Sequence, residues 1–423
     1  MTTIDYNTDQ PTSLLVRGLL QGEAVHVNTH TVQHPTYDRR VYIAQTLVGH
    51  DHDNITRGGK RGWVAIKVTD DLQLKPPRNV RNEARLMANM SHPNVIALWN
   101  AYLVPTSTTP INRFMLFMPL YDLSLSTLLD NPSFVPRTNT IVPHQRDDPF
   151  FVVANSLTKQ LLEAVAYIHD KGISHRDINP NNIVLNLKAR LVLIDFGISI
   201  DKQDDQTVEL PGQMEFQIGT QPYRAPELIF GSRDYDAQAV DLWALATTLA
   251  EFLTPVTIDH QHCRQSLDSD DSITRNDPYD DDSDSLEQDK PRREKLFQPF
   301  LTDFSLAASM FKLLGTPTSE SWPESDKLPS FKYFKFNDFK RQPLAISRLI
   351  DCKDKTPIID IVEQMLTYPT QQRLKVEKAL NNKIINWENF NCFRPLELNV
   401  DGKPEQSKQL EQALLEFLDQ SNE

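Results

Sequence analysis

Four short stretches set chemically able side chains in a fixed order along this 423-residue chain. Lys67 closes the run Val64-Ala65-Ile66-Lys67. His175-Arg176-Asp177 is followed, five residues after the aspartate, by Asn182. Leu191-Val192-Leu193-Ile194 leads into Asp195-Phe196-Gly197, and Tyr223-Arg224-Ala225-Pro226-Glu227 precedes a helical pattern. A lysine ammonium is a compact cation for an anionic group. Asp195 and Asn182 are oxygen donors of the kind a hard divalent cation takes. The Asp177 carboxylate can accept a proton from a hydroxyl. Taken singly, each has a plainer reading: a lysine at a strand end is a solvated charge, and an aspartate near a glycine is a turn residue. That reading does not account for the order and spacing of all four.

The elements that must position these residues are legible in outline. Ala24–Val27, Arg40–Ala44 and Trp63–Val68 are short β-branched runs that predict strands. Val80–Met87, which contains Glu83, has the pattern of a helix. Ala154, Leu157, Leu161, Ala164, Val165 and Ile168 recur at helical spacing, with Gly172 as a stop. Leu242–Leu253 and Leu306–Leu314 read as helices, and Ala413, Leu414, Leu415 and Leu418 as a short one near the C-terminus. The outline is an α+β chain, a small sheet-containing lobe followed by a larger helical one. Asn131–Asp148, rich in Pro, Asn and Thr, and Thr257–Arg293 break the periodic pattern and read as inserts. No internal repeat is found.

The four stretches together resemble the eukaryotic protein kinases, from about Val25 to Trp387. The resemblance implies a bilobal fold with an N-terminal extension at 1–22, an N-lobe at 23–118, a C-lobe at 119–390 and a tail at 391–423. It implies ATP and Mg²⁺ as cofactors, and catalysis mostly by positioning and electrostatic stabilisation. Lys67 would anchor the α- and β-phosphates with Glu83 as its partner. Asn182 and Asp195 would hold the metal, and Asp177 would be the base. Thr220 would bond Asp177 and favour Ser/Thr substrates. Arg176 would neutralise an anionic group in the loop after Asp195. His175 would pack behind the loop. Arg373 would pair with Glu227 structurally. Pro119 has no N–H, so the adenine would find its backbone donor at Met118 or Leu120.

Gly219–Leu228, Ala239–Trp243, Phe311–Pro317 and Met365-Leu366 with Arg373 resemble the cyclin-dependent-kinase branch. Five departures accompany them. Asn28–Arg40 holds no glycine where a phosphate cradle needs close backbone approach; Arg39 and Arg40 could supply charge there or be a solvated strand edge. Arg57–Gly62 reads as a hairpin loop. Asn179 stands where most Ser/Thr kinases carry a lysine that touches the γ-phosphate, so Asn179→Lys is expected to raise turnover. Pro119 lies in the hinge. Arg81 and Asn82 do not suit an apolar cyclin groove, so no cyclin is expected. Glu215, five residues before Thr220, stands where cyclin-dependent kinases carry a phosphorylated threonine, and is expected to serve Arg176. The combination is similar to the family of yeast monomeric CDK-activating kinases. That implies a monomer phosphorylating the activation-segment threonine of cyclin-dependent kinases, each docked as a folded substrate. Arg224, at the position of the branch's P+1 arginine, keeps a proline-directed kinase of other substrates open. Asn179 and the missing glycines keep a pseudokinase scaffold open.

Composition narrows the class. Hydrophobic residues are 39% and charged residues 24%, ordinary for a folded domain. Thirteen glycines exclude collagen, and three cysteines exclude a disulfide scaffold and fit a reducing compartment. Asp268–Lys290 carries ten Asp and Glu against Arg275 and Lys290, so most of the net charge of −13 sits in one insert. There is no basic stripe for nucleic acid and no apolar run of membrane length. The N-terminus lacks the pattern of a signal peptide. The chain is expected in the cytoplasm, the nucleus or both; Lys290-Pro291-Arg292-Arg293 is too short to count as a nuclear signal.

Overall fold

The computed structural model describes residues 12–17, 24–30, 40–48, 60–70, 76–105, 112–136, 148–203, 209–210, 212–258, 291–298, 302–343, 357–381, 392–398 and 404–419. The β-branched runs of the first third pair as expected. Strands β1 (Thr12–Arg17), β2 (Ala24–His30), β3 (Arg40–Val48), β4 (Lys60–Asp70), β5 (Asn100–Pro105) and β6 (Asn112–Pro119) form one sheet in the order β1-β2-β3-β4-β6-β5. Every neighbouring pair is antiparallel. β1 falls within the stretch read as an N-terminal extension and forms the sheet's edge. The glycine-free connection joins β2 to β3, which pair through Asn28–His30 and Ile43–Gln45. Residues 31–39, with Arg39, and Arg57–Gly59 lie outside the described residues, while Lys60–Gly62, expected in a loop, belong to β4 and pair with Thr46–Val48 of β3.

Helix α1 (Val80–Ala88) lies between β4 and β5, capped by Asn79, whose side chain accepts from the Asn82 N–H. The larger lobe holds α2 (Leu125–Leu129), α3 (Pro149–Asp170), α4 (Pro226–Ile229), α5 (Ala237–Ala250), α6 (Asp303–Leu314), α7 (Pro357–Met365), α8 (Val376–Asn381) and α9 (Pro404–Asp419). α5 is apolar nearly all round, and it and α3 lie at the centre with most of their side chains buried. Three short strands, β7 (Leu123–Ser124), β9 (Ile183–Leu185) and β10 (Leu191–Leu193), form a small sheet, and β8 (Ile173–Ser174) pairs with β11 (Ile200–Asp201). Among the described residues no helix is long and apolar enough to cross a membrane.

Three expectations change. α5 begins at Ala237, not Leu242, because Asp236 caps it by accepting from the Gln238 N–H. The Asn131–Asp148 insert begins inside the core: Phe134 is fully buried, its ring against Phe150 at 4.9 Å and Phe417 at 5.1 Å. Its polar neighbours disguise one aromatic anchor. The Thr257–Arg293 insert is closed at its base, where β12 (Val256–Ile258) pairs with β13 (Pro291–Arg293). Arg293 is buried and donates to the carbonyls of Leu129, Thr254 and Phe134. The acidic run between these strands lies outside the described residues. α9 packs on the lobe through Leu410, Leu414 and Phe417.

Candidate active site

Strand alternation and register place the first group. Lys67 lies opposite Val41 of β3 and Leu116 of β6, near the middle of the sheet. Its Nζ is paired with the Glu83 carboxylate and lies 3.0 Å from Asp195 Oδ1. Glu83 is turned inward from α1 and is 2% exposed. α1 is tied in place from the other lobe. The Asn79 N–H donates to the Gly197 carbonyl at 3.0 Å, and Asn82 Nδ2 to the Ser199 carbonyl at 3.0 Å. Arg81 stacks over the Phe114 ring at 4.8 Å.

The second group sits on the loop between β8 and β9. Asp241 of α5 is fully buried and organises it: Oδ2 accepts from the His175 N–H at 2.8 Å and Oδ1 from the Arg176 N–H at 2.7 Å. These bonds hold Arg176 at φ 66°, in the left-handed region. His175 packs edge-to-face on Phe196 at 4.9 Å, with Nε2 2.9 Å from the Ile194 carbonyl. Asp177 Oδ1 accepts from the Thr220 N–H at 2.9 Å, Thr220 Oγ1 at 2.8 Å and Asn179 Nδ2 at 3.0 Å. Asp177 Oδ2 accepts from Asn182 Nδ2 at 3.0 Å. Burial, and then the nearby Asp195 charge, push the Asp177 carboxyl above the usual carboxylate range, while its Thr220 bonds pull it back.

The β9–β10 hairpin joins the two groups. Ile183 pairs with Leu193, and the Ile194 N–H donates to the Asn182 carbonyl at 2.9 Å, so Asn182 and Asp195 sit at adjacent strand ends. Asn182 spends its amide N–H groups on the Asp177 carbonyl and carboxylate. Its side-chain oxygen and the Asp195 carboxylate are the oxygen donors that these strand ends could offer a cation. Among the described residues there is no cluster of three or more His, Cys, Asp or Glu side chains to cage a metal. Two oxygen donors fit Mg²⁺, which keeps waters and completes its shell with phosphate oxygens. Met118 pairs with Ala65 in register, and Leu120 lies just past the end of β6, beyond Pro119. Both stand at the junction of the lobes.

Arg176 faces the segment after Asp195. Nη1 and Nη2 donate to the two carboxylate oxygens of Glu209 at 2.6 and 2.7 Å, and Nη1 also reaches Tyr235 Oη at 3.1 Å.

The protein kinase domain family matches residues 54–385. The chain belongs to the protein kinase family. The kinase is 28% identical over 228 residues to cyclin-dependent kinase 20 of Danio rerio, an alignment covering 53% of this chain and 52% of that one. It is 26% identical over 363 residues to cyclin-dependent kinase 7 of Xenopus laevis, covering 86% and 78%. The match to the first of these spans about half that relative's length. The solved structure described as the yeast RNA Pol II CTD kinase CTDK-1 complex shares the fold, with a TM-score of 0.54 and 20% identity over 90% of this chain and 95% of that one. The chain's fold is the bilobal α+β fold of the protein kinase family, a class that uses ATP and Mg²⁺, and the relatives it resembles are cyclin-dependent kinases.

Lys67, Glu83 and Asp195 meet in one group of the kinase, and Asp177, Asn182 and Thr220 in the next. The expected partner of Arg176 is corrected. Glu215 does not reach it; Glu215 accepts from the Gln217 N–H at 2.8 Å, and its own N–H donates to Glu209. Counting back from Thr220 assumes a loop path that the chain does not take, and Glu209 meets the guanidinium in a two-bond fork. Sequence reasoning quoted Asp241 within Ala239–Trp243 and gave it no role, though it is the one charged residue inside the apolar run 237–250. It missed Asp303, whose two carboxylate oxygens both accept from Arg224 Nη1, at 2.6 and 2.7 Å, and which leaves no sequence signal. The expected Arg373–Glu227 pair is formed, at 2.7 and 2.8 Å.

Proposed function

We propose that this kinase acts as a single-chain CDK-activating kinase, phosphorylating the activation-segment threonine of cyclin-dependent kinases. The observation that carries this reading is that both control points are closed from within the chain. α1 is tied to Gly197 and Ser199, with Glu83 on Lys67, and Arg176 is satisfied by Glu209. Such a chain needs neither a cyclin to set α1 nor a phosphate to meet Arg176. The sequence likeness to the yeast monomeric CDK-activating kinases supports the choice of substrate.

Mg-ATP, when bound, supplies the phosphoryl group and offsets the charge that develops on it. In this reading Lys67, oriented by Glu83, binds phosphate, and Asn182 and Asp195 hold the metal. Backbone near Met118 or Leu120 receives the adenine. Asp177 takes the proton of the substrate hydroxyl, with Thr220 fixing the carboxylate.

The test is phosphate transfer from labelled ATP to a purified cyclin-dependent kinase. Label lost when the substrate threonine becomes alanine, and lost with Asp177→Asn, is the expected result. Label that survives the threonine change, or equal labelling of short Ser-Pro peptides, overturns the dedicated reading in favour of a proline-directed kinase. Absence of label with Mg-ATP still bound points to a scaffold.

A further inference from the structure

Asn179 is the chemical oddity of the loop that carries Asp177. It is 2% exposed, and its whole amide is spent inside the protein. Nδ2 lies 3.0 Å from the Asp177 carbonyl, 3.0 Å from Asp177 Oδ1 and 3.1 Å from Thr220 Oγ1. Oδ1 accepts from the Asn181 N–H at 3.0 Å. An asparagine amide has two N–H donors and one carbonyl. Both ends are therefore engaged, and the group is neutral.

The consequence falls on the carboxylate. Three donors converge on Asp177 Oδ1: the Thr220 N–H, Thr220 Oγ1 and Asn179 Nδ2. A carboxylate oxygen offers about two lone-pair sites, so Oδ1 is saturated. Oδ2 accepts one bond, from Asn182 Nδ2, and keeps a second direction for a hydroxyl. Asn179 and Thr220 also bond one another, closing a triangle on Oδ1.

We propose that Asn179 is a positioning residue: with Thr220 it clamps Oδ1 so that Oδ2 is the proton-accepting oxygen, and this loop brings no cation to the phosphoryl group being transferred. The assignment rests on the reading of Asp177 as the base, and not on which protein is the substrate.

The experiment compares full-length Asn179→Ala, Thr220→Val, the double variant and Asn179→Lys. For each it measures kcat, KM for ATP, and the rise in melting temperature given by Mg-ATP and by Mg-ADP. A misdirected carboxylate costs about 10–100-fold in rate, so Asn179→Ala should lose that in kcat. Its KM for ATP and both melting shifts should stay at wild-type values, because its amide touches no phosphate. Thr220→Val should lose a similar factor. The double variant should be little worse than either, since both clamp one oxygen. Asn179→Lys adds the missing cation and should enlarge the melting shift with Mg-ATP relative to Mg-ADP.

Unchanged kcat in Asn179→Ala overturns the proposal. So does a loss confined to KM for ATP, or one accompanied by a smaller Mg-ATP shift, which would make Asn179 a nucleotide contact. Multiplying losses in the double variant overturn the shared clamp. Should Asn179→Ala not fold, Thr220→Val and Asn179→Ser carry the same test. Full activity of Asp177→Asn would sink the base itself, an outcome separable from all of these.

Discussion

Arg176 and Glu209 form a two-bond fork, 2.6 and 2.7 Å, between the loop of Asp177 and the segment after Asp195. Arg176 is 2% exposed, so its charge needs a partner close by. Glu209 also accepts from the Glu215 N–H at 3.1 Å, and Tyr235 links Arg176 to the Glu215 carbonyl. One carboxylate thus fastens the segment that leads to Thr220. Glu209→Ala should reduce kcat about tenfold or more by releasing that segment, whereas Glu215→Ala should retain most activity. Phosphatase treatment should leave the wild type unchanged. Steady-state rates on one substrate check all three, and equal losses in the two variants would refute the assignment.

Gly219 sits at φ +76°, where a side chain is strained. A Cβ there would lie 3.2 Å from the Arg176 carbonyl, a backbone atom with little room to move. The next residue, Thr220, holds Asp177 through both its N–H and its hydroxyl. Gly219→Ala should cost about 1–2 kcal/mol in stability and lower kcat by more than that strain would suggest, because it displaces the clamp on Asp177, the proposed base. Paired denaturation and rate measurements separate the two effects, and a wild-type kcat would refute the coupling.

Glu227 and Arg373 join α4 to the turn before α8 through a buried fork, with Arg373 also donating to the Ala239 carbonyl at 2.8 Å. Glu227→Ala leaves a buried guanidinium without its counter-charge and should destabilise the C-lobe by about 3–5 kcal/mol. The pair touches none of the proposed catalytic groups, so the fraction that stays folded should keep its ATP affinity. Urea unfolding and Mg-ATP binding check both halves.

Cys392 lies with Sγ 3.7 Å from the Asn155 carbonyl, and burial pushes its thiol up to about 12. The reactive species is the thiolate, so native Cys392 should resist iodoacetamide at pH 8 and react on unfolding. The sign follows from linkage. The folded state holds the proton above the ordinary thiol range while the unfolded chain releases it. The stability this site contributes is therefore full below that range and declines as pH rises above it toward 12. Mass spectrometry of native and urea-treated protein, with fragments that separate Cys392 from Cys263 and Cys352, checks the reactivity. Fast native labelling would refute it.

Much of the site was legible because its residues are close in sequence or lie on adjoining strands. Asp177 and Asn182 share one loop, and Asp195 follows a strand that pairs back onto Asn182. The periodicity of α3 and the β-branched runs of β2, β3 and β4 gave the outline of both lobes. Phe134 was hidden because a single aromatic in a polar stretch carries no period, and only packing against Phe150 and Phe417 makes it core.

The sequence alone determined the kinase motifs, their order, and the substitution at Asn179, since residue identity and short-range spacing are local properties. Tertiary structure alone decided that Arg176 meets Glu209 and not Glu215, that Arg224 is taken by Asp303, that Asp241 holds the loop of Asp177, and that the Asn179 amide turns inward onto Asp177 and Thr220. Each of these is a directional bond between segments brought together by folding. Its partner is fixed by the path of the loops and by the cost of leaving a buried polar group unpaired, and neither is written in the spacing of the residues.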